Sequence, residues 1–266
     1  MNISTAAVKS TAKTALKGGY LKNFAASAIY VFAFLVCLSC YGVLSSVLGI
    51  FAAFIFLIVA LIFLIIPLTL GFIYFTVRLI FTKATEPVLM FKYFSNSKDY
   101  IRSLRFAFPL LGNAIFSGFL LFLPAFAVDL IANGTVFKLF SAEIPLWVSS
   151  LWSISAVLKV LAGLCLIVVM LKYYLAPFLL VADENMDPLP AMHMSKIISS
   201  VTKRDFIWLV LSVFPLISAC IFLIPDIFVF PYFATLYCVH CRFAVASYNK
   251  SVDNISQKSI PSFEVI

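Results

Sequence analysis

Between Lys22 and Arg78 the chain carries no charged side chain at all. No soluble fold is built on such a stretch, because it holds two runs of about 20 apolar residues, each long enough to cross the hydrocarbon core of a bilayer. The rest of the chain follows the same pattern. Of 266 residues, 64% are hydrophobic and 11% charged, where a soluble domain carries about a quarter charged. A backbone in hydrocarbon must satisfy its own hydrogen bonds. The expected fold is therefore all-α: a polytopic transmembrane helical bundle.

Six spans are predicted, at Phe24–Leu44, Phe51–Phe81, Leu104–Leu130, Val160–Ala182, Phe206–Ile224 and Ile227–Val245. They make a single integral membrane domain over residues 1–247, followed by a polar, mobile cytoplasmic tail at 248–266. Pro67 falls inside the second span, where it removes a backbone hydrogen bond and bends the helix. Trp147 and Trp152 mark an outer interfacial segment over 145–158, with Lys159 snorkelling at the outer boundary. Asn133-Gly-Thr135 is a glycosylation sequon on the same side, relevant only in a secretory pathway.

The net charge is +8, and its placement sets the orientation. Lys9, Lys13, Lys17 and Lys22 precede the first span; Arg78 to Arg105 hold six basic residues between the second and third; Arg242, Lys250 and Lys258 follow the last. Only Lys138 and Lys159 fall on the other side. The positive-inside rule places both termini in the cytoplasm, and the expected location is a cell membrane. Basic residues placed this way serve orientation and anionic-lipid contact rather than nucleic acid. Residues 1–22 have no cleavable signal-peptide pattern, although the first 85 residues lack any acid, as transit peptides do.

Three stretches read as amphipathic helices on the cytoplasmic face. Residues 5–18 put Lys9, Lys13 and Lys17 on one face and Val8, Ala12 and Leu16 on another, ending at Gly18-Gly19. A basic helix of this kind lies in the membrane interface. The second starts at Glu86-Pro87 and the third at Asp187-Pro188. Each leads into a similar re-entry: Lys-Asp-Tyr-Ile then Phe-Pro-Leu-Leu at 98–111, and Arg-Asp-Phe-Ile then Phe-Pro-Leu-Ile at 204–217. Asp99 and Asp205, like Pro109 and Pro215, are 106 residues apart. Pro67 precedes Arg78 by eleven residues, as Pro231 precedes Arg242. The pattern predicts an internal parallel repeat of three units, each an amphipathic helix and two spans. Asp99 and Asp205 are expected to cap helix N-termini.

The stretches Lys13-Thr-Ala-Leu-Lys-Gly-Gly19, Pro67-Leu-Thr-Leu-Gly71, Ala176-Pro-Phe-Leu-Leu-Val-Ala-Asp183 and Ala191-Met-His-Met-Ser195 carry a resemblance over most of the chain. It resembles the domain-of-unknown-function 975 family of bacterial multi-pass membrane proteins. The resemblance implies six spans with cytoplasmic termini, and no reaction, substrate or catalytic residue.

Chemistry is sparse. There are two histidines and none of the common hydrolase, metalloprotease, dinucleotide or P-loop motifs. Cys238-Val-His240-Cys241 lacks a second ligand pair, and Cys37-Leu-Ser-Cys40 lacks a thioredoxin-like setting. No catalytic residue, cofactor or metal is expected. Lys172, eleven residues before Asp183, falls roughly 16 Å inside the membrane at 1.5 Å per residue. An ionisable group there faces a partner or a wet cavity. A polar pocket of Lys172 with Asn113, Tyr173 and Tyr174 could engage an anionic group, against the alternative of a snorkelling structural lysine. Arg78, Arg242, Lys9, Lys13 and Lys17 are the candidate lipid-headgroup contacts. The leading expectation is a non-enzymatic membrane protein that organises lipid or a membrane partner, including a second copy of itself, through its amphipathic helices. The alternative is a transporter or lipid-translocating protein using Lys172, and third a membrane-embedded enzyme.

Overall fold

A computed structural model of the chain describes the backbone of residues 3–82, 86–132, 151–219 and 223–258, and the side chains of 3–80, 86–132, 151–216 and 229–250. The described residues are all α, without strands. In chain order they form α1 (Thr5–Leu16), α2 (Tyr20–Val47), α3 (Ile50–Ala60), a π turn (Leu61–Ile65), α4 (Ile66–Thr82), a 3-10 turn (Pro87–Phe91), α5 (Lys92–Ser95) and α6 (Ser97–Ala132). Then follow α7 (Leu151–Met170), a 3-10 turn (Leu171–Tyr173), α8 (Ala176–Ala182), α9 (Pro188–Ala219) and α10 (Leu223–Lys258).

Five stretches are long and apolar enough to cross a membrane: Tyr20–Val47, Ile50–Ile80, Ser97–Ala132, Leu151–Ala182 and Val229–Lys250. These correspond to the first four expected spans and the sixth. The expected fifth, Phe206–Ile224, is the C-terminal part of α9 and runs into residues 220–222, outside the described residues. Helix starts also shift. The fourth span begins at Leu151 rather than Val160, so Lys159 lies within α7. The sequon at Asn133 and the part of the outer segment holding Trp147 lie outside the described residues. Helix α10 continues to Lys258, so the start of the 248–266 tail is helical backbone.

The chain divides into two compact units, residues 1–107 with 173–266, and residues 108–172. In the second unit the later half of α6 and α7 are tied by one polar cluster. Lys159 Nζ lies 2.7 Å from Asp129 Oδ2, and the Ser155 hydroxyl donates to Asp129 Oδ1. The lysine expected to snorkel thus has a carboxylate partner thirty residues upstream.

The first unit holds the larger core. The stripe Val8, Ala12 and Leu16 of α1 is buried. Val8 and Ala12 pack on Leu209 and Val213 of α9 and on Leu236 and Val239 of α10. The apolar face predicted to rest on the membrane is therefore covered by protein. Gly18, at φ +90°, makes the turn that sends the chain from α1 into α2. Against α2, helix α4 buries Leu68, Phe72, Phe75 and Leu79 around Ala26 and Met90. Tyr30 stacks on Phe230 at a centroid distance of 5.3 Å.

Pro67 lies inside the second expected span, in the first turn of α4. Without an N–H, it cannot satisfy the carbonyl four residues back, that of Phe63. The π turn immediately precedes it, and the Tyr100 hydroxyl donates to the Phe63 carbonyl at 3.1 Å. Farther along, Gly71 lets the 3-10 turn seat on α4. A Cβ there would lie 1.8 Å from the Met90 carbonyl oxygen.

The two re-entry stretches differ in form. Asn96 breaks the first: its Oδ1 accepts from the Lys98 N–H at 3.1 Å, so Asn96 caps α6 and Asp99 only follows in the first turn. The second contains no break, because α9 runs unbroken from Pro188 to Ala219. Asp205 is mid-helix, not a cap for α9. Its carboxylate instead accepts from the Ile3 N–H at 2.9 Å, just before α1, where negative charge suits the positive end of that helix.

Two substitutions test this account. Tyr100→Phe is expected to lower stability by about 1 kcal/mol, read as thermal unfolding in detergent, with the loss shrinking in a Pro67→Ala background. Gly71→Ala should destabilise more, since backbone rather than a flexible side chain must move.

Candidate functional site

The C-terminal end of α4 and the middle of α10 bring two arginines to one cavity. Arg78 and Arg242 both line a space of about 620 Å³, together with Tyr74, Phe178, Glu184 and Asn249. Helices α4 and α10 pack on one another across Phe72 and Phe230, 5.4 Å apart. In each, the arginine follows the span proline by eleven residues. The third wall comes from α8 and the loop after it. Arg78, Arg242, Glu184 and Asn249 are exposed, so the cavity communicates with the surface.

Tyr74 organises the charge at this mouth. Its hydroxyl accepts from Arg78 Nε at 3.1 Å, and the Arg78 guanidinium lies 5.2 Å from its ring centroid. Lys92 Nζ sits over the same ring at 4.0 Å, a cation–π arrangement, and also pairs with Glu184. The hydrogen bond from Lys92 is the main reason that the Glu184 carboxyl titrates below its ordinary 4.5, with Lys92, Arg78 and Arg102 adding their positive charge. Both partners are partly exposed, so the pair positions the loop more than it stabilises the fold.

Arg102 fixes that loop. Its guanidinium donates to the carbonyls of Leu180, at 2.9 Å, Asp183 and Met186, both at 2.6 Å. A cation at the C-terminal end of α8 suits the helix dipole and satisfies carbonyls with no partner inside the helix. Nearby, Tyr93 is buried, and that burial pushes its phenol up to about 12.

The other candidate contacts are scattered. Lys9 Nζ donates to the Ser212 carbonyl at 3.2 Å. Lys13 and Lys17 line a separate space of about 800 Å³ with Leu16, Tyr20, Leu216 and Tyr232. The Lys172 group is divided. Asn113 and Lys172 fall in one compact unit, Tyr173 and Tyr174 in the other. The Asn113 amide donates to the Pro109 carbonyl at 2.7 Å. Lys196 covers the Tyr173 ring at 5.2 Å. The Tyr174 hydroxyl bonds Thr202 at 2.8 Å and His240 Nε2 at 3.2 Å, while its ring stacks on Phe206. Lys172 itself is exposed, in the 3-10 turn.

Tyr74, Glu184 and Asn249 were not predicted as site residues. The only signal for Tyr74 was its spacing four residues before Arg78 on one helix face. Among the described residues, no group of three His, Cys, Asp or Glu side chains is placed to hold a metal ion. No family model, curated protein or solved structure matches the chain.

The Glu184 pairing gives a pH dependence of definite sign. A depressed folded-state pKa means the contribution is full above about 4.5 and lost as pH falls through the lower folded value. In a carbon-13 titration, Lys92→Ala should move the Glu184 midpoint upward toward 4.5, and Arg78→Ala should move it less. Arg102→Ala, which frees the 180–186 carbonyls, should increase protease cutting of that loop, with Arg102→Lys intermediate.

Proposed function

We propose that this chain is an integral membrane protein, not an enzyme, that holds anionic lipid at the cytoplasmic leaflet through the Arg78–Arg242 cavity. One observation carries the reading: two arginines 164 residues apart in sequence line one surface-connected cavity from two membrane-length helices. Guanidinium groups offer fixed forks of donors that suit phosphate oxygens. Arg78 lies two residues from the end of its span, the level at which basic residues meet anionic lipid. Lys13 and Lys17 add a second basic surface on α1.

The finer topology belongs to the same proposal. The basic termini and loops put both ends of the chain in the cytoplasm, in a bacterial plasma membrane. The three-unit repeat would make Arg78 and Arg242 equivalent positions. The resemblance to the domain-of-unknown-function 975 family fits this arrangement. A transport reading built on Lys172 draws less support, because Asn113 and Tyr174 direct their polar groups elsewhere.

The test is lipid retention. In nanodiscs mixing phosphatidylglycerol with phosphatidylcholine, native mass spectrometry of the released protein should show preferential retention of the anionic lipid. Arg78→Ala or Arg242→Ala should each weaken that preference about tenfold, the scale of one charge-assisted hydrogen bond. Unchanged retention in the double variant would refute the proposal.

A further inference from the structure

Beside the arginine cavity lies a second, mostly apolar one. A space of about 370 Å³ is lined by Val77, Phe178, Arg242 and Ala246, all four shared with the arginine cavity. It continues past Thr11, Ile80, Cys238, Val239 and Phe243. Among the described residues the headgroup space holds three charged side chains, Arg78, Glu184 and Arg242. Among them too, the second space holds Arg242 alone of these, at the shared boundary, and Thr11 is its only hydroxyl. Helix α1 forms part of this inner wall, held by Val8 and Ala12 against α9 and α10.

From this we infer that the occupant is an amphiphile bound as a unit, with its phosphate at Arg78 and Arg242 and one hydrocarbon chain in the apolar cavity beside α1. The inference rests on the anionic-lipid reading above and specifies which part of the lipid goes where. A free phosphate would fill only the outer space. Among its described lining residues the second cavity is mostly apolar, with polar side-chain atoms only at Thr11, Cys238 and Arg242, so a hydrocarbon chain finds apolar contacts along most of it.

The cavity also gives the N-terminal helix a role that its position on the membrane surface would not. Lipid tails are as apolar as the side chains lining the cavity. Transfer of a chain from the bilayer therefore gains little by itself. What the inner cavity adds is shape: it admits a chain attached to the bound phosphate and holds it at one place. Thr11 is exposed and on the wall unique to this cavity, so it can be enlarged without disturbing the α1 core.

The experiment compares two probes on the full chain in phosphatidylcholine nanodiscs: phosphatidylglycerol in the bilayer, and glycerol phosphate in solution. Thr11→Trp fills the inner cavity and should lower phosphatidylglycerol retention about tenfold, the scale of one overpacked contact. The weaker binding of glycerol phosphate should stay unchanged in this variant. Arg78→Ala with Arg242→Ala should abolish both. Ile80→Phe, which narrows the same space from α4, should repeat the Thr11→Trp result, and melting temperatures would show that each variant is folded. Folded Thr11→Trp and Ile80→Phe proteins with wild-type lipid retention would overturn the chain seat while leaving the headgroup site standing. Glycerol phosphate bound as tightly as the lipid would also overturn it, assigning the site to a soluble anion. Retention unaffected by the arginine variants would refute the underlying headgroup reading instead.

Discussion

Every bend in these helices has to be made where the surroundings offer little water. A proline inside a long apolar helix leaves a carbonyl without its N–H, and in hydrocarbon that carbonyl needs another donor. Tyr100 supplies one to Phe63, the carbonyl that Pro67 leaves open. Elsewhere polar side chains add a second donor to carbonyls that no proline opens: Thr69 reaches back to Ile65, and Asn113 to Pro109. The Pro231 carbonyl takes two donors, Thr235 at 2.8 Å and Asn23 at 3.1 Å. Polar residues in the spans are thus committed largely to the backbone. Such bonds to the carbonyl four residues back favour bending of a helix. Asn23 illustrates the cost: its amide nitrogen is used, while its Oδ1 and the neighbouring Ser27 hydroxyl are buried with no hydrogen-bond partner among the described residues.

The bends decide what the charged groups can do. Helices α4 and α10 share the spacing of eleven residues from proline to arginine, yet they use the intervening turn differently. Four residues after Pro67 stands Gly71, which admits the backbone of Met90. Four residues after Pro231 stands Thr235, which bonds Asn23 of α2. One helix thereby receives the 3-10 turn on its face and the other receives α2. That turn leads directly to Lys92, over the Tyr74 ring, while Arg102 at the start of α6 pins the loop carrying Glu184. The cavity's charged rim follows from contacts made a turn or more away from it.

Long apolar runs were legible in the sequence because a span needs only length and hydrophobicity, which a single residue's neighbours reveal. Five of the expected spans match described helices. The apolar stripe of α1 was legible for the same reason, although what covers it was not: a stripe facing lipid and a stripe facing Leu209 and Leu236 have one periodicity. Helix ends were harder. Asp99 and Asp205 sit in similar strings, but Asn96 breaks the first helix and nothing breaks the second. The local alphabet is nearly the same; the outcome depends on one side chain that can turn back on its own backbone.

Charge partners were the least legible. Lys159 and Asp129 are thirty residues apart, on separate expected helices, and no pattern joins them before the helices pack. Lys172 stands out in the sequence through its depth, and Arg78 and Arg242 as candidate headgroup contacts. Depth alone is a weak guide, because a lysine can reach along its own stem toward water. Convergence is the stronger signal. Two guanidinium groups lining one cavity repel each other, and an arrangement that keeps them there is more easily maintained with counter-charge present. Glu184 supplies part of that charge from an exposed position, already shared with Lys92. Under the proposed reading an anionic headgroup joins these side chains at the rim, and its hydrocarbon chain occupies the largely apolar space beside α1.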